Sequence, residues 1–430
     1  MRAPESERPG AWPLAAQTVA RWLDRRERID ALLESVPSGL PGGERARMQH
    51  LVYGVVRNHG RIEAALGGLI AHPPRFATRA VLYVAGFELI EAAKTAPEAG
   101  LVAKIVHHAV EQTKRLASPA EARLVNAVVR KLAPLLAAAP PSKLAVPAVL
   151  AEYFSHPEWL VKRWLLQFGA EPTRKLLEWN QTPARLLARW RAETPPPEFL
   201  AATAWPGWFE IGPGHWSEVE PLVRSGALYL QDPATRLAVD LLAPQPGETV
   251  LDLCAAPGGK SLLVADRMGQ GRLVALDQPG PRIERLKENL SRVRGVEVAL
   301  VQAELNRGTA RILAEHNLPE TYAAVLVDTP CSNTGVMRHR IDVKWRLQEG
   351  DFRKHAWQQV AMVQAALRLV APGGRLVYST CSIDADENER VVENVIQQGR
   401  GRYVLAASQL SRPWETGHDG AGVFLLRRND

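Results

Sequence analysis

Two of the three cysteines in this 430-residue chain directly follow apolar runs that read as buried strands. "VLVDTPCSNTG" (325–335) passes from Val325, Leu326 and Val327 to Asp328 and then Cys331, and "YSTCS" (378–382) carries Cys381. The fourth and fifth strands of doubly wound sheets are commonly neighbours, and ligands bind beyond the carboxyl ends of such strands. Cys331, Cys381 and Asp328 are therefore expected to face one pocket. Two thiols, a carboxylate and a methyl donor suit methylation of a cytosine at carbon 5. That carbon is a poor nucleophile until a thiolate adds to carbon 6, and the addition needs a proton at ring nitrogen 3, which a protonated carboxyl supplies. One thiol is then the nucleophile and the other assists release; the residues alone do not choose between them. A methyltransferase acting on an exocyclic amine would want Asn/Asp-Pro-Pro-aromatic after the fourth strand, and "DTPCS" does not supply it.

The donor is legible in "DLCAAPGGKS" (252–261). Its Gly-Lys-Ser ending resembles a phosphate loop, but a phosphate loop needs a glycine five positions before its second glycine. Here that position is Cys254, and the dinucleotide fingerprint G-x-G-x-x-G is absent as well. What remains is a tight turn made of Cys254, Ala255, Ala256, Pro257, Gly258, Gly259 and Lys260, whose amides face a small anionic group at a helix N-terminus. The next strand, "RLVALDQ", ends at Asp277, where a carboxylate can take both hydroxyls of a ribose. A ribose without pyrophosphate, joined to a small zwitterion, describes S-adenosylmethionine. Cys254 itself reads as a small packing residue of the loop.

These residues require a frame. From about residue 230, "TVLDLCAAPGGKS", "RLVALDQ", "VEVALVQ", "AAVLVD" and "GRLVYSTCS" alternate with helical stretches such as "RIERLKENLSRV", which implies βαβ units and a parallel sheet covered on both faces. "RYVLAAS" and "GVFLLRR" add a closing antiparallel pair. The expected fold is an α/β Rossmann-like domain with a seven-stranded, mostly parallel sheet, over residues 230–430. Residues 12–135 show apolar positions at spacings of three and four, as in "AAQTVARWLDRRERIDALLES", and read as an all-α bundle, domain 1–140. An Ala/Pro-rich linker is expected near 137–147. Helices and a small tryptophan-rich α+β piece fill 141–229.

Residues 1–140 hold 19 Lys/Arg against 13 Asp/Glu, so +6 of the formal +7 net charge lies there, which points to a polyanionic partner for that third. No charge-free apolar stretch is long enough to span a membrane. "MRAPESERPG" lacks the apolar core of a signal peptide. An odd cysteine count at wide spacing fits neither a disulfide framework nor a zinc knuckle, so the expectation is a cytoplasmic protein without a metal.

The sequence resembles the bacterial small-subunit ribosomal RNA cytosine-C5 methyltransferases that carry an N-terminal NusB-like domain. The resemblance rests on "YLQDPATRLAVDLL", "DLCAAPGGKS", "DQPGPRIERLKENL", "DTPCSNTGVMRHRIDVKWR", "YSTCSIDADENERVV" and "DGAGVFLLRR", and in the helical part on "ERARMQHLVYGVVRNHGRIEAAL" and "EARLVNAVVRKL". It implies that Cys381 is the nucleophile and that Cys331 promotes product release. It places residues 254–260 at the methionine end of the cofactor, with Asp277 on the ribose and Arg282 close to it. Asp328 would contact the cofactor or the base, and Lys260 would stand near the reacting centre. Thr329 and Asn333 occupy positions where the family commonly has Ala and Gly. The third strand usually ends in an Asp facing the adenine, and the nearest acid here is Glu304.

A base inside a helix cannot reach a buried thiol, so the target must be unpaired or flipped out. "MRHRIDVKWR" offers Arg338, Arg340, Lys344 and Arg346 as phosphate contacts beside the expected pocket. The N-terminal arginines Arg21, Arg25, Arg26, Arg28, Arg45, Arg47 and Arg57 offer a second basic surface. The expected partner is small-subunit rRNA, naked or in a partly assembled subunit. The alternatives are a tRNA cytosine-C5 methyltransferase and a non-catalytic RNA-binding or antitermination-like protein.

Overall fold

The computed structural model describes residues 10–37, 39–95, 100–142 and 145–429; residues 143 and 144 of the expected linker lie outside that set. The chain forms two compact units. The first runs through Thr182 and adds Arg340–Arg346, and the second holds Pro183–His339 and the chain from Leu347 onward. The middle segment predicted from sequence is thus shared between the units: its helices up to Gln181 belong to the first, and its strands with the helix Trp216–Ser225 to the second.

The first unit is helical: α1 (Ala11–Arg25), α2 (Ile29–Glu34), α3 (Gly42–Gly67), α4 (Phe76–Lys94), α5 (Leu101–Leu116), α6 (Ala122–Leu136), α7 (Pro147–Tyr153), α8 (Glu158–Phe168) and α9 (Ala170–Gln181). In α1 the buried positions Trp12, Ala15, Ala16, Val19, Trp22 and Leu23 recur at helical spacing and turn one stripe inward. Residues 80–87 of α4 are buried on every side, which makes it the central helix of the bundle. Arg340–Arg346 enters this unit as a short inserted segment. Ile341 joins its apolar core, and the one-turn helix Val343–Arg346 presents Lys344 and Trp345 to the backbone of α3.

The second unit begins with a four-stranded antiparallel sheet, order β2-β3-β1-β4, built from β1 (Leu187–Trp190), β2 (Leu200–Ala202), β3 (Trp208–Ile211) and β4 (Leu228–Leu230), with α10 (Trp216–Ser225) between the last two. Next come α11 (Arg236–Leu242), β5 (Thr249–Leu253), α12 (Gly259–Met268), β6 (Gly271–Asp277), α13 (Ile283–Leu290), β7 (Val296–Gln302), α14 (Thr309–Glu315) and β8 (Tyr322–Asp328). The chain closes with α15 (Asp351–Leu367), β9 (Val370–Thr380), α16 (Glu389–Gly399), β10 (Tyr403–Ser411) and β11 (Ala421–Arg428). The seven-stranded sheet has the order β10-β11-β9-β8-β5-β6-β7. β9, β8, β5, β6 and β7 are parallel, while β11 and β10 are antiparallel additions, as the sequence predicts.

Successive strand residues point to opposite faces, so each strand feeds two cores. Val250, Ala324 and Leu326 pack with α11, α12 and α13, whereas Leu251, Leu253, Val325 and Val327 pack with α15 and α16. Each such Val or Leu side chain, fully withdrawn from water, contributes about 2 kcal/mol as an upper estimate. Among the described residues, no helix is long and apolar enough to cross a membrane.

Candidate active site

The register of two neighbouring strands assembles the site. Asp328 on β8 pairs with Ser379 on β9. Cys331 lies three residues beyond the first and Cys381 two beyond the second, so their loops leave the sheet side by side. The Cys331 and Cys381 sulfurs stand 3.3 Å apart. Cys331 is buried, and Cys381 is half-buried in a small cleft shared with Lys260, Ser379 and Thr380. Asp328 Oδ1 accepts from Ser379 Oγ at 2.6 Å and its Oδ2 from Lys260 Nζ at 2.7 Å. The structure thus brings together all four residues read from the sequence as chemically active.

Electrostatics separate the two thiols. Cys331 is pushed well above the usual thiol range by its hydrogen bond with Cys381 and by burial, so it stays protonated. Burial disfavours charge on Lys260, but the Asp328 carboxylate and the hydrogen bond to it, joined by the interaction with Cys381, prevail and hold the ammonium above the ordinary lysine value. A persistent cation therefore stands beside Cys381, and a thiolate there is the form it favours.

A buried polar cluster, which the sequence reading missed, carries the two cysteine loops. Glu387 is fully buried and accepts from Ser332 N at 2.8 Å, Ser332 Oγ, Ser382 Oγ at 2.6 Å and Gln359 Nε2 at 3.1 Å. Thr334 Oγ1 donates to Asp384 at 2.6 Å, and Thr380 Oγ1 to Asn388 at 2.7 Å. One loop is thereby fastened to the other directly behind the sulfurs. The signal was present in "SIDADENE" (382–389), whose acids directly follow Cys381. Asn333, at φ 61°, donates to the Cys331 carbonyl at 2.7 Å and accepts from Cys381 Sγ at 3.4 Å. At Gly335 a Cβ would come within 2.7 Å of the Cys381 carbonyl oxygen and 2.8 Å of Gly420 Cα, so only glycine admits this approach of the backbones.

The first loop is held as tightly. Ala255 N donates to Leu276 O at 3.1 Å and Ala256 N to Asp277 Oδ2 at 2.8 Å. These two amides are thus committed within the protein, unlike the anion-facing role predicted for the loop as a whole. Asn289 caps the Pro257 carbonyl at 2.7 Å and Gln231 the Gly259 carbonyl at 3.0 Å. Gly258 has φ 105°, and a Cβ there would press on Leu286 and Asn289. Cys254, at φ 61°, is more than the packing residue expected, since it lines a cavity of about 280 Å³ together with Asp277, Arg282, Glu304, Trp357 and Arg368. Its thiol is raised far above the usual range by burial and by Asp277, and is inert. Asp277 is nearly buried, and its Oδ1 has no hydrogen bond among the described residues, only Arg282 at 3.9 Å. A carboxylate with an open oxygen, a tight turn and a cavity opening toward Pro330 fit S-adenosylmethionine: Asp277 would hold the ribose, and residues 254 and 303–305 would flank the nucleoside.

The expected basic loop is placed differently. Lys344 is buried in the helical unit, where its Nζ donates to the Arg57 carbonyl at 3.0 Å, and burial pushes it well below the ordinary lysine value. A phosphate cannot reach it, so its predicted RNA contact is corrected to an internal one. Trp345 donates to Val56 O at 2.9 Å, Arg346 pairs with Asp342 at 2.9 Å, and Arg340 faces Asp30 at 3.7 Å. Arg338 is buried, donates to the Pro183 carbonyl and is likewise not a surface cation. Arg57 is buried, and Arg26 lies over the Trp22 ring at 4.4 Å. Asp232, His339 and Asp419 place ligand-type atoms within 4.8 Å of one another, but Asp232 Oδ1 already accepts from Ala234 N and Asp419 N.

The sheet order, the turn after β5 and the acid ending β6 define a Rossmann-like methyltransferase domain. Residues 239–415 match the family 16S rRNA methyltransferase RsmB/F, and residues 11–134 match the NusB family. Over 397 residues the chain is 30% identical to Ribosomal RNA small subunit methyltransferase B of Sodalis glossinidius (strain morsitans), covering 87% of this chain and 86% of that one. The protein belongs to this family of methyltransferases. In overall fold it is similar to the crystal structure of PH0851, with a TM-score of 0.74 at 21% identity, covering 98% of this chain and 99% of that one. It is also similar to NSun6 from Pyrococcus horikoshii with SFG, with a TM-score of 0.54 at 18% identity, covering 64% and 98%.

Proposed function

We propose that this protein methylates carbon 5 of an unpaired cytosine in small-subunit rRNA, using S-adenosylmethionine and a transient cysteine adduct. The observation that carries the reading is the pair of sulfurs 3.3 Å apart, beside the Lys260–Asp328 ion pair. The relatives' names favour rRNA over tRNA as substrate.

Cys381 is the nucleophile in this reading, because it reaches the cleft and has the Lys260 ammonium beside it, whereas Cys331 lies deeper and holds its proton. Cys381 adds to carbon 6 of the ring. The proton required at nitrogen 3 comes from the Lys260–Asp328 pair, whose ammonium is the proton source bonded to that carboxylate. Carbon 5 becomes enamine-like and attacks an electrophilic methyl group, which is what S-adenosylmethionine supplies when bound. Loss of the carbon 5 proton to solvent water, with the nitrogen 3 proton returning to the Lys260 amine, then expels Cys381 as a thiolate, and the adjacent Cys331 thiol returns a proton to that sulfur. Asn333 and the Glu387 cluster hold both sulfurs at this separation throughout.

The test is transfer of a labelled methyl group to small-subunit rRNA, mapped by bisulfite sequencing. Cys381→Ala should abolish transfer, and Cys331→Ala should accumulate a protein–RNA adduct that the double variant lacks. Label arriving on an exocyclic amine, or full activity in Cys381→Ala, would overturn the mechanism.

A further inference from the structure

We propose that the groove between α15 and α16 seats a single-stranded stretch of the RNA substrate, with Trp357 as a base-stacking platform and Arg307, Arg353 and Arg390 as phosphate contacts. The proposal rests on the RNA-methyltransferase reading and adds to it a surface that the sequence did not suggest.

The groove is a second space, of about 710 Å³, beside the cofactor cavity. Arg353, Trp357, Ala361 and Gln364 recur along α15 at spacings of three and four and form one wall. Asp386, in the single turn before α16, and Arg390, Asn394 and Gln398 along α16 form the other. Trp357 is 78% exposed, which leaves a large ring in water that no packing contact explains. Arg307 and Arg353 have no hydrogen bond or ion pair among the described residues, and Arg390 pairs with Asp386, the only acid on the groove walls. Three guanidinium groups against one carboxylate give the groove the charge a polyanion requires.

Position favours RNA over other anions. Arg307 follows the carboxyl end of β7, Asp386 follows Cys381 closely in the chain, and α15 and α16 both start at that edge of the sheet. The upper end of the groove therefore reaches the edge of the sheet from which the cysteine loops leave, while the cleft of Cys381 itself lies toward α11 on the opposite face. Trp357 and Arg307 also wall the cofactor cavity, so a strand lying here passes directly beside the donor site. An aromatic face interleaved with arginines is the arrangement that holds unpaired bases without demanding a sequence. A role for Trp357 as a cover of the cofactor's adenine alone would leave Arg353 and Arg390 unexplained, because neither lines that cavity.

The test measures equilibrium binding of a fluorescently labelled, unstructured oligoribonucleotide to the full chain, with the same sequence as a duplex for comparison. Trp357→Ala should weaken single-strand binding by about five- to a hundredfold, while Trp357→Phe retains most of it. Arg353→Ala with Arg390→Ala should lower the log–log salt slope by about 1.4. Affinity for S-adenosylmethionine should stay unchanged in the double arginine variant, whose two residues lie outside the cofactor cavity. Wild-type-like RNA binding by Trp357→Ala and by the double arginine variant would overturn the proposal. So would equal dependence of duplex binding on Trp357, or loss of cofactor affinity with RNA binding intact. Because the assay needs no methyl transfer, a wild type that binds RNA through Trp357 yet leaves cytosine unmethylated sinks the proposed reaction and not the groove.

Discussion

Lys260 Nζ lies 2.7 Å from Asp328 Oδ2, although the two residues come from the start of α12 and the end of β8. The pair couples the cofactor loop to the cysteine loops, since Lys260 closes the turn after β5 and Asp328 precedes Cys331. Replacing Lys260 by Met should lower kcat by about 10²- to 10⁴-fold, the range for a lost proton-transfer partner. It should also move alkylation of Cys381 by iodoacetamide to higher pH, because the cation that favours the thiolate is gone. Unchanged alkylation kinetics would place Lys260 outside the thiol's field.

The 3.3 Å separation of Cys331 and Cys381 makes a disulfide accessible. With hydrogen peroxide, two thiols are oxidised to one disulfide and the peroxide is reduced to two waters. Methyl transfer should be lost on mild peroxide treatment and recovered with dithiothreitol, and Cys331→Ser should fail to form the reducible species. Intact-mass analysis before and after reduction checks it.

Glu387 serves both cysteine loops from full burial. Glu387→Ala leaves the donors on Ser332, Ser382 and Gln359 short of an acceptor, which should cost about 3 kcal/mol of stability. Glu387→Gln keeps the volume and should fold, yet lower kcat more than KM, since it disturbs the sulfurs rather than the substrate surface. Chemical unfolding together with steady-state kinetics separates the two effects.

Lys344 is a buried cation held by one backbone carbonyl, which Gln181 Nε2 also contacts at 3.3 Å. Its depressed pKa means that the unfolded chain binds this proton more readily than the folded one. Its contribution to stability therefore rises with pH between the folded value and about 10.4, the unfolded one. Lys344→Met should remove that dependence and leave RNA affinity as it was. A weakened RNA complex with a lower salt slope would restore the surface role read from the sequence.

Asp252 sits fully buried under the cofactor loop, its Oδ2 accepting from Ser261, and burial raises it to about 7. A carboxyl raised on folding favours the folded state below its unfolded value of about 3.9, and that advantage is lost as pH rises to about 7. The wild type should therefore fall behind Asp252→Asn in melting temperature progressively across that interval, and by a constant margin above it. Parallel melting curves over the whole interval would count against the shift.

The sequence alone determined the alternation of strand and helix, the turn 254–260, the acid at 277 and the two Cys-bearing strand ends. Each is a local signal, written in period, glycine placement and strand termini within a few residues. Which side chains meet was decided only by tertiary structure, because strand order and register are set between segments far apart in the chain. The pairing of Asp328 with Ser379 brings the sulfurs together, and their different exposure leaves only Cys381 in the cleft. The same physics turned "DVKWR" from an apparent basic loop into an inserted segment, since a lysine's charge in the sequence does not reveal whether its ammonium meets water or a carbonyl.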